Sequence, residues 1–461
     1  MTASTAPMGL SLAGVAGMAG GILELPPGPA RPASEAIQGV SIDTRTLVPG
    51  DLFVPLTGGR ADGHQFLEEA FRRGAAAALC ARSRLPDRRP GPLVVVEDVT
   101  RALQQLAREH RLAWQGLMIG VTGSTGKTTT KDLVARVLSV EGPTLRTEGN
   151  LNNHWGVPLT LLRLRPEHRA AVVEVGTNHP GEIAPLAVLA RPREALITNV
   201  GSAHLEHFGS IEAIAREKAE LARALPADGV LYLGADSPAL IEALRGHPGR
   251  RVTYGLSRAA DLRAESLEDL GPEGTRFEVR GFPPVRLALV GVHQVASALG
   301  ALAVAREHRL DPAAAARALE GYRAQKGRME LKRSRGADLL VDCYNANPDS
   351  ARAALETLAS WPARRRIAVL GDMLELGERA GELHRQVAQS ARGAELWVVG
   401  EHARDYAAGA RDAGVEVRLF PDKGSLAEAL APALEPGTVV LLKASRGAAL
   451  EQVLEGLELE A

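Results

Sequence analysis

Thr122-Gly123-Ser124-Thr125-Gly126-Lys127-Thr128-Thr129-Thr130 follows a short apolar run, Leu117 to Val121, and leads into an amphipathic segment, Lys131 to Val140. Strand, glycine-rich turn and helix in that order make a cradle for a nucleoside triphosphate. The glycines let backbone N–H groups close around phosphate oxygens, and the helix N-terminus adds positive potential. Lys127 is placed to reach the β- and γ-phosphates, and the Thr128 hydroxyl to ligate Mg²⁺. ATP or GTP is therefore the expected ligand. The loop is a variant, because Val121 stands where the fuller pattern has another glycine. The bland alternative is an ordinary glycine turn at a helix start.

Composition narrows the class. A chain of 461 residues holds roughly two to four domains. Hydrophobic residues make up 45%, enough for several cores. A net charge of −1 and a pI near 6.9 leave no electrostatic footprint for nucleic acid. Aromatics at 3% offer few base-stacking platforms. Cys80 and Cys343 stand outside any Cys-x-x-Cys spacing, which points to a reducing compartment rather than a disulfide framework or a zinc site. Met8 to Leu23 is apolar and glycine-rich, but no Lys or Arg precedes it, the first being Arg31. It is too short to span a bilayer. It reads as a small buried helix carrying Leu10, Leu12, Val15 and Ala16 and ending at Gly20-Gly21. A soluble, cytoplasmic monomer with no membrane insertion is expected.

Three α/β blocks emerge. Residues 1–113 form a smaller N-terminal block with strands at Leu52 to Leu56, Ala76 to Cys80 and Leu93 to Val96, and a helix near Thr100 to Leu112. Residues 114–325 form the central block. Its runs Ala170 to Val173 and Ala195 to Ile197 suit a parallel sheet covered on both faces. Arg251 to Tyr254 and Phe277 to Leu289 read as antiparallel additions, and Val292 to Leu319 as a helix-rich segment. Residues 326–461 alternate strand and helix, with strands at Leu339 to Val341, Ile367 to Leu370, Leu396 to Val399, Val415 to Leu419 and Val439 to Leu442. That alternation predicts a second doubly wound, Rossmann-like sheet.

In open parallel sheets ligands gather at the carboxyl ends of strands. That rule selects Glu174, Thr198, Asn199 and His204 in the central block. Glu174 either completes Mg²⁺ coordination or is a solvated strand-end carboxylate. His204 binds a second metal or phosphate, or neither. Lys218 falls on the apolar stripe of the helix Ile211 to Leu225, which also carries Ile211, Ile214, Ala215, Leu221, Ala222 and Leu225. An inward lysine is costly unless paired or chemically changed; the alternatives are snorkelling to the helix edge or service in the active site. Asn150, Asn152, Asn153 and His154 make a dense polar turn suited either to sugar and phosphate contacts or to awkward backbone angles. Asp342 to Pro348 and Gly371-Asp372 sit at strand ends of the last block, and Gly327-Arg328 at the junction before it.

Several runs carry a family resemblance. They are Ser41 to Arg45 with Pro49 to Phe53, Thr122 to Thr129, Asn150 to Pro158, Glu174-Val175-Gly176, Thr198 to His204, Lys218-Ala219-Glu220, Tyr344 to Pro348 and Gly371 to Gly377. On these the chain resembles the Mur ligases, the ATP-dependent amide-forming enzymes of peptidoglycan precursor synthesis, over nearly its whole length. The last two runs look like those of the members that join D-Ala-D-Ala to UDP-N-acetylmuramoyl-tripeptide through an acyl phosphate. The resemblance implies an N-terminal UDP-sugar-binding domain, a central P-loop ATP-binding domain and a C-terminal Rossmann-like domain. It implies UDP near Asp43, Thr44 and Arg45, and further substrate contacts from Asn150, Asn153, Tyr344, Asn345 and Asn347. It implies ATP on Gly123 to Thr129 with His293, Arg328 and Asp342, and catalysis by Lys127, Glu174, His204, Lys218 and Arg328. Two Mg²⁺ ions are implied, one at Thr128 and Glu174 and one at His204 and a carbamylated Lys218. There are departures: Gln294 and Ser297 stand where the family carries asparagines after His293, Cys343 where a second Asp is common, and Ala444 where Gly is usual before Ser445. A folylpolyglutamate-type relative and a nucleotide-driven switch are the rival readings. The switch would need a Walker-B aspartate where the strand ends in Glu174.

Overall fold

A computed structural model describes residues 9–26, 36–59 and 61–460. Met8 and Arg31, both part of the reading of the N-terminal segment, lie outside the described residues. The chain divides into two compact units. One comprises Met1–Gly120, Gly142–Gly176 and Ala184–Pro192; the other comprises Val121–Glu141, Thr177–Ile183 and Arg193–Ala461.

In the first unit the expected small helix forms over Leu12–Met18. Ser11 caps it, its Oγ accepting from Gly14 N at 3.1 Å, and Leu12, Val15 and Ala16 are buried. It accompanies a five-stranded sheet in the order Ile22–Glu24, Leu93–Val96, Ala77–Ala81, Leu52–Phe53, Val40–Ser41. The sheet is parallel but for its first edge. The strand expected over Leu52 to Leu56 stops at Phe53, close to Pro55, which has no N–H for a ladder. The helix Val99–Ala113 starts where the Asp98 carboxylate accepts from Arg101 N, and it buries Val99, Ala102, Leu103, Leu106 and Ala107 on one face. The same unit holds the wholly buried strand Ala170–Glu174, paired in parallel with Thr144–Arg146.

The second unit carries the phosphate-loop helix, Lys127–Leu138. Its strands Glu194–Ile197, Val230–Gly234, Arg250–Gly255 and Leu262–Asp269 pair in parallel, each with the next. The antiparallel expectation for Arg251 to Tyr254 is therefore wrong. The helix Pro238–Ala243 carries the chain back across the sheet, and a crossover of that kind returns a parallel strand. Antiparallel pairing begins only at Thr275–Val279 and Val285–Leu287. The last part of the unit is a six-stranded sheet in the order Glu330–Ser334, Ala337–Asp342, Thr438–Lys443, Arg365–Leu370, Glu395–Val399, Val417–Phe420. All its pairs are parallel except the first. Apolar clusters centred on Leu340, Leu370 and Leu441 and on Val341, Val369 and Leu442 use alternate residues of the same strands, so both faces are covered. Among the described residues no helix is long and apolar enough to cross a membrane.

Candidate active site

The phosphate loop is held open by its neighbours in the second unit. Ser124 N donates to Asn199 O at 3.0 Å and Thr125 N to Asn199 Oδ1 at 3.0 Å. Thr198 Oγ1 donates to Thr125 O at 2.6 Å, and Gly201 N to Ser124 Oγ at 2.9 Å. These contacts fix the loop from below, at the end of the strand Glu194–Ile197. Gly123 has φ +153°, and a Cβ there would meet Thr198 Oγ1 at 1.8 Å, so only glycine fits. Gly126 precedes the helix at φ +74°. Lys127 Nζ donates to Gly123 O at 2.8 Å across the loop, and Thr128 is buried at the first turn of the helix. Val121, in place of the extra glycine, is a buried strand residue.

Lys218 lies in the helix Ile211–Arg223 and is only 1% exposed. The snorkelling alternative is ruled out, although Ile211, expected on the same stripe, is exposed. Among the described residues nothing hydrogen-bonds the Lys218 amine. Desolvation first, and the charge of Lys127 second, hold its pKa well below the ordinary lysine value, against a smaller opposing pull from Glu217. The neighbouring Glu217 is buried and committed elsewhere, its carboxylate accepting from Gly181 N and Ile183 N, each at 2.8 Å.

His204 precedes the short helix Leu205–Phe208 in the left-handed region, at φ +58°. Its Nδ1 lies 2.5 Å from Glu375 Oε2. Glu375 belongs to the loop after the strand Arg365–Leu370 and is itself left-handed, at φ +63°. The hydrogen bond to His204 lowers the Glu375 pKa. In the same unit Ser202 N donates to Asp349 Oδ2 at 2.7 Å.

Arg328 lies over the Tyr344 ring, its guanidinium carbon 3.8 Å from the ring centroid. Among the described residues its buried Nε has no hydrogen-bond partner, an orphaned donor suited to an anionic ligand. Asp342 pairs with the buried Lys443 at 2.7 Å, and Lys443 Nζ also donates to Asn345 O at 2.8 Å. His293 lies within electrostatic reach of both Asp342 and Lys443, and Gln294 Nε2 is 3.1 Å from His293 Nε2. Asn345 Oδ1 accepts from Ala346 N, and Asn347 caps the helix Pro348–Ser360 in a reciprocal box with Ser350. The side-chain oxygens of these two asparagines are thus engaged in turn and cap geometry.

In the first unit, Glu174 ends its strand only 1% exposed, so it is not a solvated carboxylate. Its Oε1 accepts from Asn152 Nδ2 at 2.8 Å. Asn153 Oδ1 accepts from Trp155 N and Gly156 N and shapes the turn, while Asn150 is exposed. Asp43 accepts from Arg45 N and Nε at 2.9 Å, and these bonds lower its pKa. Beside it Arg45 is exposed and Thr44 half-buried. Sequence reasoning singled out none of Glu217, Asp349, Glu375 and Lys443 as site residues, and offered Asn152 for sugar or phosphate contact rather than as a partner of Glu174. Glu375 lies in the run Gly371 to Gly377 and Asn152 in the polar turn, yet nothing in their spacing marks what they touch.

A strand–loop–helix phosphate cradle with a buried amine beside it, docked against the strand ends of a second Rossmann-like sheet, defines a P-loop enzyme built for phosphoryl transfer. The chain belongs to the Mur ligase family. Models of the Mur ligase family catalytic domain, the Mur ligase middle domain and the Mur ligase glutamate ligase domain match residues 36–111, 121–305 and 327–446. The UDP-N-acetylmuramoyl-tripeptide–D-alanyl-D-alanine ligase of Bacillus subtilis is 36% identical, covering 91% of this chain and 93% of the relative. That of Escherichia coli is 37% identical, covering 92% and 95%. A crystal structure of MurF from Acinetobacter baumannii superposes with a TM-score of 0.87 at 29% identity, covering 98% and 99%. MurF from Thermotoga maritima in complex with ADP gives 0.79 at 30% identity, covering 90% and 96%. Folylpolyglutamate synthase of Mycobacterium tuberculosis, at 18% identity and a TM-score of 0.63, shares the fold alone.

Proposed function

We propose that this chain uses ATP to join D-alanyl-D-alanine to UDP-N-acetylmuramoyl-tripeptide in peptidoglycan precursor synthesis, acting as a cytoplasmic monomer. The observation that carries the reading is the buried Lys218 amine, within electrostatic reach of the phosphate-loop lysine, in a chain whose relatives of that activity match it almost end to end.

Hydroxyl, carboxylate and imidazole are donor types that a divalent cation takes. Thr128 and Glu174 are the residues proposed to hold one Mg²⁺; His204, through Nε2, and Lys218 are proposed for a second. Such ions draw charge off the transferring phosphoryl oxygens. Lys218 fits only after modification. Its neutral amine attacks CO₂, a C–N bond forms, one proton leaves to solvent, and the resulting carbamate is a carboxylate-like ligand.

The loop N–H groups and Lys127 hold the β- and γ-phosphates, and Arg328, propped on Tyr344, adds positive charge. The terminal carboxylate of the tripeptide attacks the γ-phosphorus, which breaks the bond to the β-bridging oxygen and yields an acyl phosphate and ADP. Activation is required because a carboxylate has no good leaving group. The free amine of D-alanyl-D-alanine then attacks the acyl carbon. The tetrahedral intermediate loses phosphate and a proton, leaving the amide. Asp43, Thr44 and Arg45 are proposed to take the UDP end. Asn150, Asn153, Tyr344, Asn345 and Asn347 are proposed as further substrate contacts, and His293 and Asp342 as nucleotide contacts.

Phosphate release and amide formation, measured with each substrate omitted in turn, test this reading. Product should require ATP, tripeptide and dipeptide together; ADP formed at full rate without either peptide substrate would sink it.

A further inference from the structure

We propose that Glu375 is the positioning residue that fixes the His204 proton on Nδ1 and so presents Nε2 as the ligand-ready nitrogen. The inference rests on the reading above, in which His204 holds a cation. A carboxylate can only accept, so the 2.5 Å contact to Glu375 Oε2 puts the proton on Nδ1. No described hydrogen bond occupies Nε2. An isolated neutral imidazole prefers its proton on Nε2, the wrong nitrogen for a ligand that must point there. The outer partner of a ligating histidine commonly decides this choice. The His204 side chain is 13% exposed, so water is a poor substitute for the carboxylate.

The pair is built in. Both residues adopt left-handed backbone, an arrangement that is strained for a non-glycine residue. Glu206 N donates to Glu375 O at 3.1 Å, and Gly377 packs against Glu206. The Glu375 loop is anchored from its own sheet, with Met373 N donating to His384 Nε2 at 2.9 Å and Leu374 N to Ser445 Oγ at 2.9 Å. His384 in turn donates from Nδ1 to Ala380 O at 2.6 Å. Docking of the C-terminal sheet and readiness of His204 are then one event: a detached sheet takes the carboxylate with it, and the ring reverts to the other tautomer.

The test uses the full chain with ADP and no peptide substrate, so that nothing turns over. Ring ¹⁵N shifts of His204, assigned with His204→Gln, are read at alkaline pH, and Mn²⁺ affinity is read by electron paramagnetic resonance. In the wild type Nδ1 should be protonated and Nε2 bare. Glu375→Ala should move the proton to Nε2 and weaken the His204-dependent Mn²⁺ site about ten- to a hundredfold. Glu375→Gln, which keeps an acceptor, should retain the wild-type tautomer. The wild-type proton on Nε2, a Glu375→Ala protein with unchanged ring shifts, or Mn²⁺ affinity indifferent to Glu375→Ala or to His204→Gln would each overturn the proposal. Absence of amide product from the wild type would instead sink the function proposed above without touching the ring-nitrogen result.

Discussion

Lys218 shows how much one side chain decides. Helical spacing put it on an apolar stripe but left snorkelling open, because a periodicity says which way a Cβ points and not where a four-carbon stem ends. Its 1% exposure closes that question. A desolvated amine beside a second lysine has its pKa lowered well below 10.5, so the neutral, nucleophilic form dominates at pH values above that lowered pKa. Carbamate should therefore form at pH values above that lowered pKa and be lost as pH falls through it. The unfolded chain binds more protons here than the native one, so in CO₂-free buffer this residue's contribution to stability rises with pH until the free amine titrates near about 10.4. Ligase rate should drop in CO₂-depleted buffer and return with bicarbonate. Labelled bicarbonate should give a carbamate carbon resonance that Lys218→Ala abolishes, and that variant should lose about a hundredfold or more in kcat. An unchanged rate in CO₂-free buffer, together with no carbamate signal, would remove Lys218 from the metal-binding set.

Elements read well from the sequence where one face or both faces are apolar, and poorly where pairing partners decide. The phosphate loop and the strands Ala170–Glu174 and Glu194–Ile197 were legible because buried parallel strands are continuous apolar runs. Glu330–Ser334 was missed because it is a charged edge strand, Glu-Leu-Lys-Arg-Ser, with only its last residue buried. Arg250–Gly255 was given the wrong direction because its polar start resembles a hairpin strand, and only the preceding helix settles the crossover. The Asn152–Glu174 and His204–Glu375 contacts span 22 and 171 positions, and no local pattern encodes either. The same holds for Glu217, which ties the helix Ile211–Arg223 to the loop Gly181 to Ile183. Glu217→Ala strands at least the buried Ile183 N–H and should cost about 1–3 kcal/mol. A melting temperature equal to wild type would mean that the backbone finds other partners.

At the scale of the molecule, the proposed chemistry needs the C-terminal sheet close against the phosphate loop, and Gly201 lies at one point of that approach. Its N–H donates to Ser124 Oγ in the loop, and a Cβ there would meet Asp349 Oδ2 at 2.3 Å. That same Oδ2 accepts from Ser202 N at 2.7 Å. Asp349 stands in the first turn of the helix Pro348–Ser360, so a methyl group at 201 either displaces the carboxylate from Ser202 or moves the sheet outward. Displacement of the order of 1 Å costs about a hundredfold where reacting groups must align. Gly201→Ala should therefore lower kcat by about ten- to a hundredfold while ADP affinity, set by the loop itself, changes little. If the clash is the cause, the loss must depend on its partner: in an Asp349→Ala background the further effect of Gly201→Ala on kcat should shrink towards nothing. Fully additive losses in that double-mutant cycle would mean that Gly201→Ala acts through the phosphate loop and not through docking of the sheet.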